Sequence, residues 1–255
     1  MQIYRGMDIG TAKPSKQEMA EIPHHLIDVA DITETFSVSK YVSLAEKAIN
    51  EITSRGKIPI VAGGTGLYID TLINGIKLSE NDADFELRRK LFAYAEENGA
   101  HALHEKLEKI DPESASAIHE NNIKRVVRAI EIFVTTGKTK TELDRESRKA
   151  GSRYDAEVIM LMPKDRDSMY SRIDARVSKM FSDGLFEEVK GLCEKGLRNT
   201  VTASQAIGYK EFYPFFDGEC DIDRVKENIC SDTRHYAKRQ LTWFAGMKKD
   251  KVIEV

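Results

Sequence analysis

The chain has 255 residues, 41% of them hydrophobic and 32% charged, with a net charge of −3. This is a globular composition sized for one large or two smaller domains, and it excludes a globally basic nucleic-acid binder, although not a local basic face. No apolar run approaches the ~20 residues that span a bilayer, Met1 to Gly6 hold no signal-peptide core, and Cys193, Cys220 and Cys230 form no CxxC pair; no membrane partner, zinc site or disulfide framework is expected, and the chain is placed in the cytoplasm.

The chain opens on Met1 to Met7 and runs at once into the polar loop DIGTAKP at 8–14, an unusual start for a folded domain. HHLIDV at 24–29 predicts a short strand; its adjacent histidines would face opposite sides of a sheet, which disfavours a shared metal. Val38, Tyr41, Val42, Ala45, Ile49 and Ile52 follow helical spacing, with Ser37 as N-cap and Gly56 as stop. Next comes the apolar run 58–62, predicted as a strand buried on both faces, followed by Gly63, Gly64, Thr65 and Gly66 and then a helix from Leu67. Strand, glycine turn and helix together aim backbone N–H groups at an anion. A βα turn that simply needs positive φ explains the same glycines equally well. The order strand, helix, strand, helix predicts an α/β core with a parallel sheet.

From Asp84 to about Arg148 the strand pattern disappears, and helical patterns broken at Gly99, Pro112 and Gly137 predict a helical insertion or lid. The triplet Gly137-Lys138-Thr139 is not a phosphate loop: the required first glycine position is Ile132, inside a helix, so this chain contains no P-loop. Within the insertion, Lys124, Arg125 and Arg128 form a basic cluster on a helix whose apolar face is Val126, Val127 and Ile130. A solvated face is the commoner meaning of such a triplet; phosphate contact is the alternative. Residues 157–163 return as a buried strand, and helices follow, the last over about 223–244, with a closing strand at 252–255. The small-residue turn at 204–210 carries Gln205, Gly208, Tyr209 and Lys210, residue types suited to a base or to a helix junction. Lys238, Arg239, Gln240 and Trp243, with Arg234 nearby, mix cations and aromatics as an RNA-facing helix does, or place Trp243 in the core and the cations in water.

Taken together these segments resemble the tRNA dimethylallyltransferases. The motifs are MQIYRGMDIGTAKP (1–14), HHLIDV (24–29), PIVAGGTGLYI (59–69), RVVRAIEI (125–132), SQAIGYKE (204–211) and AKRQLTWF (237–244), in the family's order over nearly the whole length. The resemblance implies a P-loop-kinase-like α/β core over 1–80, a helical insertion over 81–150, and over 151–255 a return to the core with tRNA-binding helices. It implies transfer of a dimethylallyl group from its diphosphate to N6 of the adenosine beside the anticodon, with Mg2+ as cofactor, the tRNA anticodon stem-loop as partner, and a monomeric enzyme. Thr65 is carried over as the catalytic position, with Gly63, Gly64, Thr65 and Gln205 at the diphosphate. Met1, Gln2, Arg88, Lys124, Arg125, Arg128, Gln205, Gly208, Tyr209, Lys210, Lys238, Arg239, Gln240 and Trp243 are carried over as tRNA-contacting positions.

Two departures stand out. The family's P-loop, and the Asp-Ser pair whose Asp serves as general base, lie before the MQIY motif and are absent here; the chain is therefore expected to lack a first strand and helix and to turn over little substrate alone. Gln205 stands where many relatives have an arginine. The alternatives are an adenylate isopentenyltransferase acting on a free nucleotide, a non-catalytic RNA-binding remnant, and, more remotely, a small-molecule kinase of similar fold.

Overall fold

The structure, a computed structural model, describes residues 1–75, 84–149 and 151–255. In chain order the elements are α1 (Lys16–Glu21), α2 (Val38–Ser54), α3 (Gly66–Asn74), α4 (Phe85–Ile110), α5 (Pro112–Ala117), α6 (Ile123–Thr136), α7 (Lys140–Lys149), β1 (Ile159–Met162), α8 (Arg166–Ser182), α9 (Leu185–Glu194), α10 (Tyr213–Phe216), α11 (Ile222–Ala245) and β2 (Lys251–Glu254). Short 3-10 turns occupy Leu197–Asn199, Ala203–Gln205 and Lys210–Phe212. The fold is α/β: mostly helical, with a small parallel sheet in which Met160 faces Val252. The chain divides into two compact units, Met1–Ile69 with Ala156–Val255, and Asp70–Asp155. No described helix is long and apolar enough to cross a membrane.

In the first unit the helix starts are set by side-chain caps. Ser37 accepts the Lys40 N–H to open α2, Asp165 accepts the Ser168 N–H to open α8, and Asp221 accepts the Arg224 N–H to open α11. Each satisfies a donor that the helix itself leaves unpaired. Buried stripes on α8 (Ile173, Val177, Met180), α9 (Leu185, Val189, Leu192) and α11 (Val225, Ile229) close on Tyr4, Met7, Phe36, Tyr209 and Phe212. Phe181, Phe186, Phe215 and Phe216 surround Phe212 with ring centroids 5.7–6.2 Å apart within the cluster.

The second unit is helical. α4 and α6 pack through Leu91, Ala95, Leu103, Leu107, Val126, Val127 and Ile130. α4 breaks at Gly99, whose φ of 87° and ψ of 158° leave the helix, and α6 ends on Gly137 at φ 71°, as the glycine spacing predicts. Asp111 accepts the Ser114 N–H, the Thr141 N–H and the Thr141 hydroxyl, tying the start of α5 to α7.

Three strand expectations need correction. Residues 58–62 form no strand among the described residues, and Ile58 and Ile60 are each 88% exposed. An extended apolar run becomes a strand only when a neighbour takes its N–H and C=O groups, and no described segment does so here. Residues 24–29 are likewise not a strand: Leu26 and Asp28 take φ of 61° and 53°, which bends the chain out of the extended region, and only Tyr4 and Ala30 form a parallel bridge. The predicted strand at 157–163 exists as β1, but it is not buried on both faces. Met160 is buried, while Ile159 and Leu161 are 50% and 61% exposed, because β2 is its one described neighbour.

Candidate functional site

The glycine turn is docked on the second half of α11. Gln240 Nε2 donates to the Gly64 carbonyl at 2.9 Å, and the Tyr236 hydroxyl reaches the same oxygen at 3.4 Å. A Cβ on Gly66 would lie 2.2 Å from Trp243 Cδ1, so glycine is required there for the indole to approach the backbone. The Thr65 carbonyl accepts the Tyr68 and Ile69 N–H groups at 2.9 and 3.2 Å, making Thr65 the hinge between turn and helix and leaving the opening N–H groups of α3 at the turn. Thr65 and Gly63 are exposed. Lys238 and Arg239 are exposed on the same helix; Lys238 faces Tyr170 of α8, and the Arg239 guanidinium lies 5.7 Å from the Tyr236 ring centroid. Arg234 is instead turned onto Asp174, with both carboxylate oxygens at 2.6 Å.

The 204–211 segment meets α11 one level nearer its start. Gln205 is exposed. Gly208 is buried with φ 93°, and a Cβ there would lie 3.4 Å from the Gly10 carbonyl oxygen. Tyr209 is wholly buried, so its ring packs in the core and does not offer a face for stacking. Lys210 Nζ bonds Asp232 Oδ2 at 2.6 Å. Loop 8–14 closes over the same corner: Gln2 Nε2 donates to the carbonyls of Thr11 and Ala12 at 3.2 and 2.9 Å, and the buried Lys13 ammonium bonds Asp8, Asp28 and the Tyr4 carbonyl. The Met1 side chain is exposed.

Several side chains that sequence reasoning passed over hold this corner. Glu188, on α9, accepts the backbone N–H groups of Asp8, Ile9 and Gly10 at 3.0, 2.8 and 3.1 Å and the Tyr209 hydroxyl at 2.7 Å. Burial, reinforced by the Glu188 charge, raises the Tyr209 phenol well above its ordinary pKa and keeps it a donor. Nothing in the local sequence marks Glu188, since its partners lie 21 residues away at Tyr209 and about 180 residues away in the 8–10 loop. Glu211 is buried, accepts the Gly208 N–H at 2.8 Å through Oε2, and has Oε1 3.7 Å from Lys210 Nζ. Burial, outweighing the N–H bonds and the Lys210 charge, raises its pKa from 4.5 to about 7. Protonated, Glu211 becomes a donor toward Asp232, which gives the otherwise unpartnered Oε1 a role. Asp232 is held below its ordinary value, first by the hydrogen bond from Lys210.

The Glu211 shift has a thermodynamic consequence. The folded chain keeps this proton above pH 4.5, where the unfolded chain has lost it. Its stabilising contribution is fully present below about pH 4.5 and is lost as pH rises through about 7. Glu211→Gln is expected to flatten the dependence of melting temperature on pH between 5 and 7.5, read by calorimetry. An unchanged slope in the variant would contradict the assignment.

In the second unit Lys124 and Arg125 are exposed on the first turn of α6 and make no ion pair with a described residue. Arg128 and Arg88 converge on Glu131, whose side chain is 1% exposed. Arg88 Nε and Nη2 reach its two oxygens at 2.9 and 3.0 Å, and Arg128 Nη1 at 2.6 Å. Here the sequence did carry a signal: Glu131 falls on the apolar stripe of α6, where an acid needs a partner. No three His, Cys, Asp or Glu side chains among the described residues are placed to hold a metal ion.

Comparison with known proteins gives these positions a context. The family profile described as IPP transferase matches residues 2–248. The tRNA dimethylallyltransferase of Halalkalibacterium halodurans is 47% identical over 244 residues, covering 96% of this chain and 77% of the relative. The crystal structure of the full-length tRNA isopentenylpyrophosphate transferase from Bacillus halodurans superposes with a TM-score of 0.69 at 43% identity, over 99% of this chain and 78% of that one. A eukaryotic dimethylallyltransferase acting on tRNA superposes with a TM-score of 0.79 at 30% identity, over 100% of this chain and 65% of that one. With a family match across nearly all of its length and relatives at this identity, the chain belongs to the IPP transferase family.

Proposed function

We propose that the chain is a tRNA dimethylallyltransferase, moving a dimethylallyl group from dimethylallyl diphosphate to N6 of the adenosine beside the anticodon. The observation that carries the reading is the docking of α11 on the glycine turn, which seats Gln240 and Trp243 on Gly64 and Gly66 beside the exposed Thr65, with the exposed cations Lys238 and Arg239 on the same helix. The names and identities of the relatives support the same chemistry. The bond from N6 to the allylic carbon forms as that carbon's bond to the diphosphate oxygen breaks, so the site must bind an anion and hold a weakly nucleophilic amine in line. In this reading the start of α3 and the exposed Thr65 hydroxyl face the diphosphate, Gln205 lies toward it, and the cations of α11 take RNA phosphates. Mg2+ belongs to the proposal as the diphosphate's counterion, where it would help neutralise the leaving group's charge. A P-loop-kinase-like core, a monomeric state and the anticodon stem-loop as docking element belong to the same proposal, the first supported by the parallel β1–β2 pair and the parallel Tyr4–Ala30 bridge.

An adenylate isopentenyltransferase would need no RNA-facing cations. The test offers radiolabelled dimethylallyl diphosphate and Mg2+ to the 255-residue chain with unmodified tRNA and AMP in competition. The quantity read is the ratio of label between the two acceptors, which is independent of absolute turnover. Label in tRNA is expected; label in AMP selects the rival.

A further inference from the structure

Glu211 and Asp232 are two carboxylates placed where one ammonium has to serve both. Glu211 lies in the 3-10 turn that closes the 204–211 segment, and its side chain is 4% exposed. Asp232 stands opposite it on α11 and Lys210 beside it, 36% and 38% exposed. Oε2 of Glu211 accepts the Gly208 N–H at 2.8 Å, while Oε1 has no donor among the described residues and Asp232 lies within hydrogen-bonding reach of the carboxyl group. Lys210 Nζ is 2.6 Å from Asp232 Oδ2 but 3.7 Å from Glu211 Oε1, so it serves the outer carboxylate first and leaves the inner one short of a partner. A proton on Glu211 supplies what is missing, because the carboxyl then donates to Asp232. These three side chains line one surface cavity of about 220 Å3 with Asn228 and Ser231, which gives the buried proton a route to solvent. The other titratable groups facing the pair are Tyr213, at the start of α10, and His235, one turn along α11, which acts on Asp232. Burial pushes the Tyr213 phenol up to about 12, so it stays neutral here.

We infer that Glu211 and Asp232 form a proton-operated latch between the 204–211 turn and α11, closed when the pair shares a proton and open when it does not, and that the closed form holds tRNA more tightly. The inference rests on the tRNA reading above and adds control to it: the Glu211 side chain touches no RNA. In the closed form Glu211 is neutral and the charges of Asp232 and Lys210 cancel. In the open form two carboxylates face each other over one ammonium, the group carries a net charge of −1, and the hydrogen bond between turn and helix is gone. The added charge draws the Lys210 ammonium inward and opposes any RNA phosphate nearby. Because the closed form is the protonated one, affinity falls as pH rises through about 7, and tRNA binding above that pH takes up a proton.

The experiment follows two signals in the full chain from about pH 5.5 to 8.5 at fixed salt. One is the Gly208 amide resonance, since that N–H is bonded to the Glu211 carboxyl; the other is Kd for unmodified tRNA by filter retention. In wild type the Gly208 resonance is expected to titrate with a midpoint near pH 7. Kd should rise about three- to tenfold over the same range, the size of effect one added charge near a phosphate produces. Glu211→Gln keeps both hydrogen bonds, its carbonyl accepting from Gly208 and its NH2 donating to Asp232, but cannot ionise. It should match wild type at the acid end and keep that affinity to the alkaline end. Asp232→Asn serves as the test should Glu211→Gln melt early: it removes the charged acceptor and frees Lys210 for Glu211, so the Gly208 midpoint should move to lower pH. His235→Gln should leave both profiles in place, which separates Glu211 from the nearby imidazole. A wild-type Gly208 resonance that does not titrate, a Kd profile that Glu211→Gln reproduces, or an unmoved Gly208 midpoint in Asp232→Asn overturns the inference. A wild-type chain that binds no tRNA at any pH overturns the tRNA reading and the control assigned to it, while the Gly208 titration still decides whether the latch exists.

Discussion

Glu188→Ala is expected to lower the melting temperature by roughly 5–10 °C, the largest stability loss among the substitutions considered. The carboxylate accepts from three consecutive backbone N–H groups of the 8–10 loop and from the Tyr209 hydroxyl. Alanine leaves those donors without their acceptor. The Tyr209 ring is buried while the loop N–H groups are only partly so, and water can reach some of them. A net cost of about 2–3 kcal/mol follows from one fully stranded donor and several partly stranded ones. The loss should spread along the loop, because Gly10 lies against the Tyr209 ring so closely that a Cβ there would fall 2.6 Å from it, and Gln2 is bonded to Thr11 and Ala12. Glu188→Gln keeps one acceptor oxygen and should fall between wild type and alanine. Melting curves for the three proteins check the order, and coincident curves would show that the loop is held by packing alone.

The second large effect concerns RNA. Replacing Lys238 and Arg239 together with alanine is expected to weaken tRNA binding about tenfold or more near physiological salt and to lower the salt slope by about 1–2, one for each phosphate contact removed. Both side chains are exposed, so the melting temperature should stay within a degree or two of wild type. The emission of Trp243, the chain's single tryptophan, should also be unchanged, because the indole is held against Gly66. Gln240→Ala forms the contrast. It removes the hydrogen bond to the Gly64 carbonyl and should shift the Trp243 emission while leaving the salt slope alone. A double variant that binds tRNA like wild type would mean that this end of α11 is a solvated face.

What could be read from the sequence followed its local rules. α2 starts at Ser37 and stops before Gly56, α6 ends on a left-handed Gly137, and the kink of α4 falls at Gly99, because caps and glycines act on their immediate neighbours. Strands read less well, since a strand is defined by its partner. The run at 58–62 has the right composition and no described neighbour, whereas β1 and β2 find each other across some 90 residues. The same limit applies to side chains. The glycine turn and the basic end of α11 were both visible as motifs, but that Gln240 and Trp243 seat on Gly64 and Gly66 was not. Glu188 carried no local mark at all. Glu131 did, as an acid on an apolar stripe, and its neighbours Arg88 and Arg128 were singled out without the carboxylate they bond.

The central claim is that this corner holds a purine withdrawn from the stack of an anticodon loop, and it can be measured without turnover. An anticodon stem-loop carrying 2-aminopurine in place of the adenosine beside the anticodon reports stacking through its fluorescence, which rises when the base leaves its neighbours. Titration with the chain is expected to raise that fluorescence at saturation, while 2-aminopurine placed in the stem stays quenched and Lys238→Ala with Arg239→Ala shifts the curve to higher protein concentration. A saturating titration in which the loop base stays as quenched as in the free stem-loop would contradict the account.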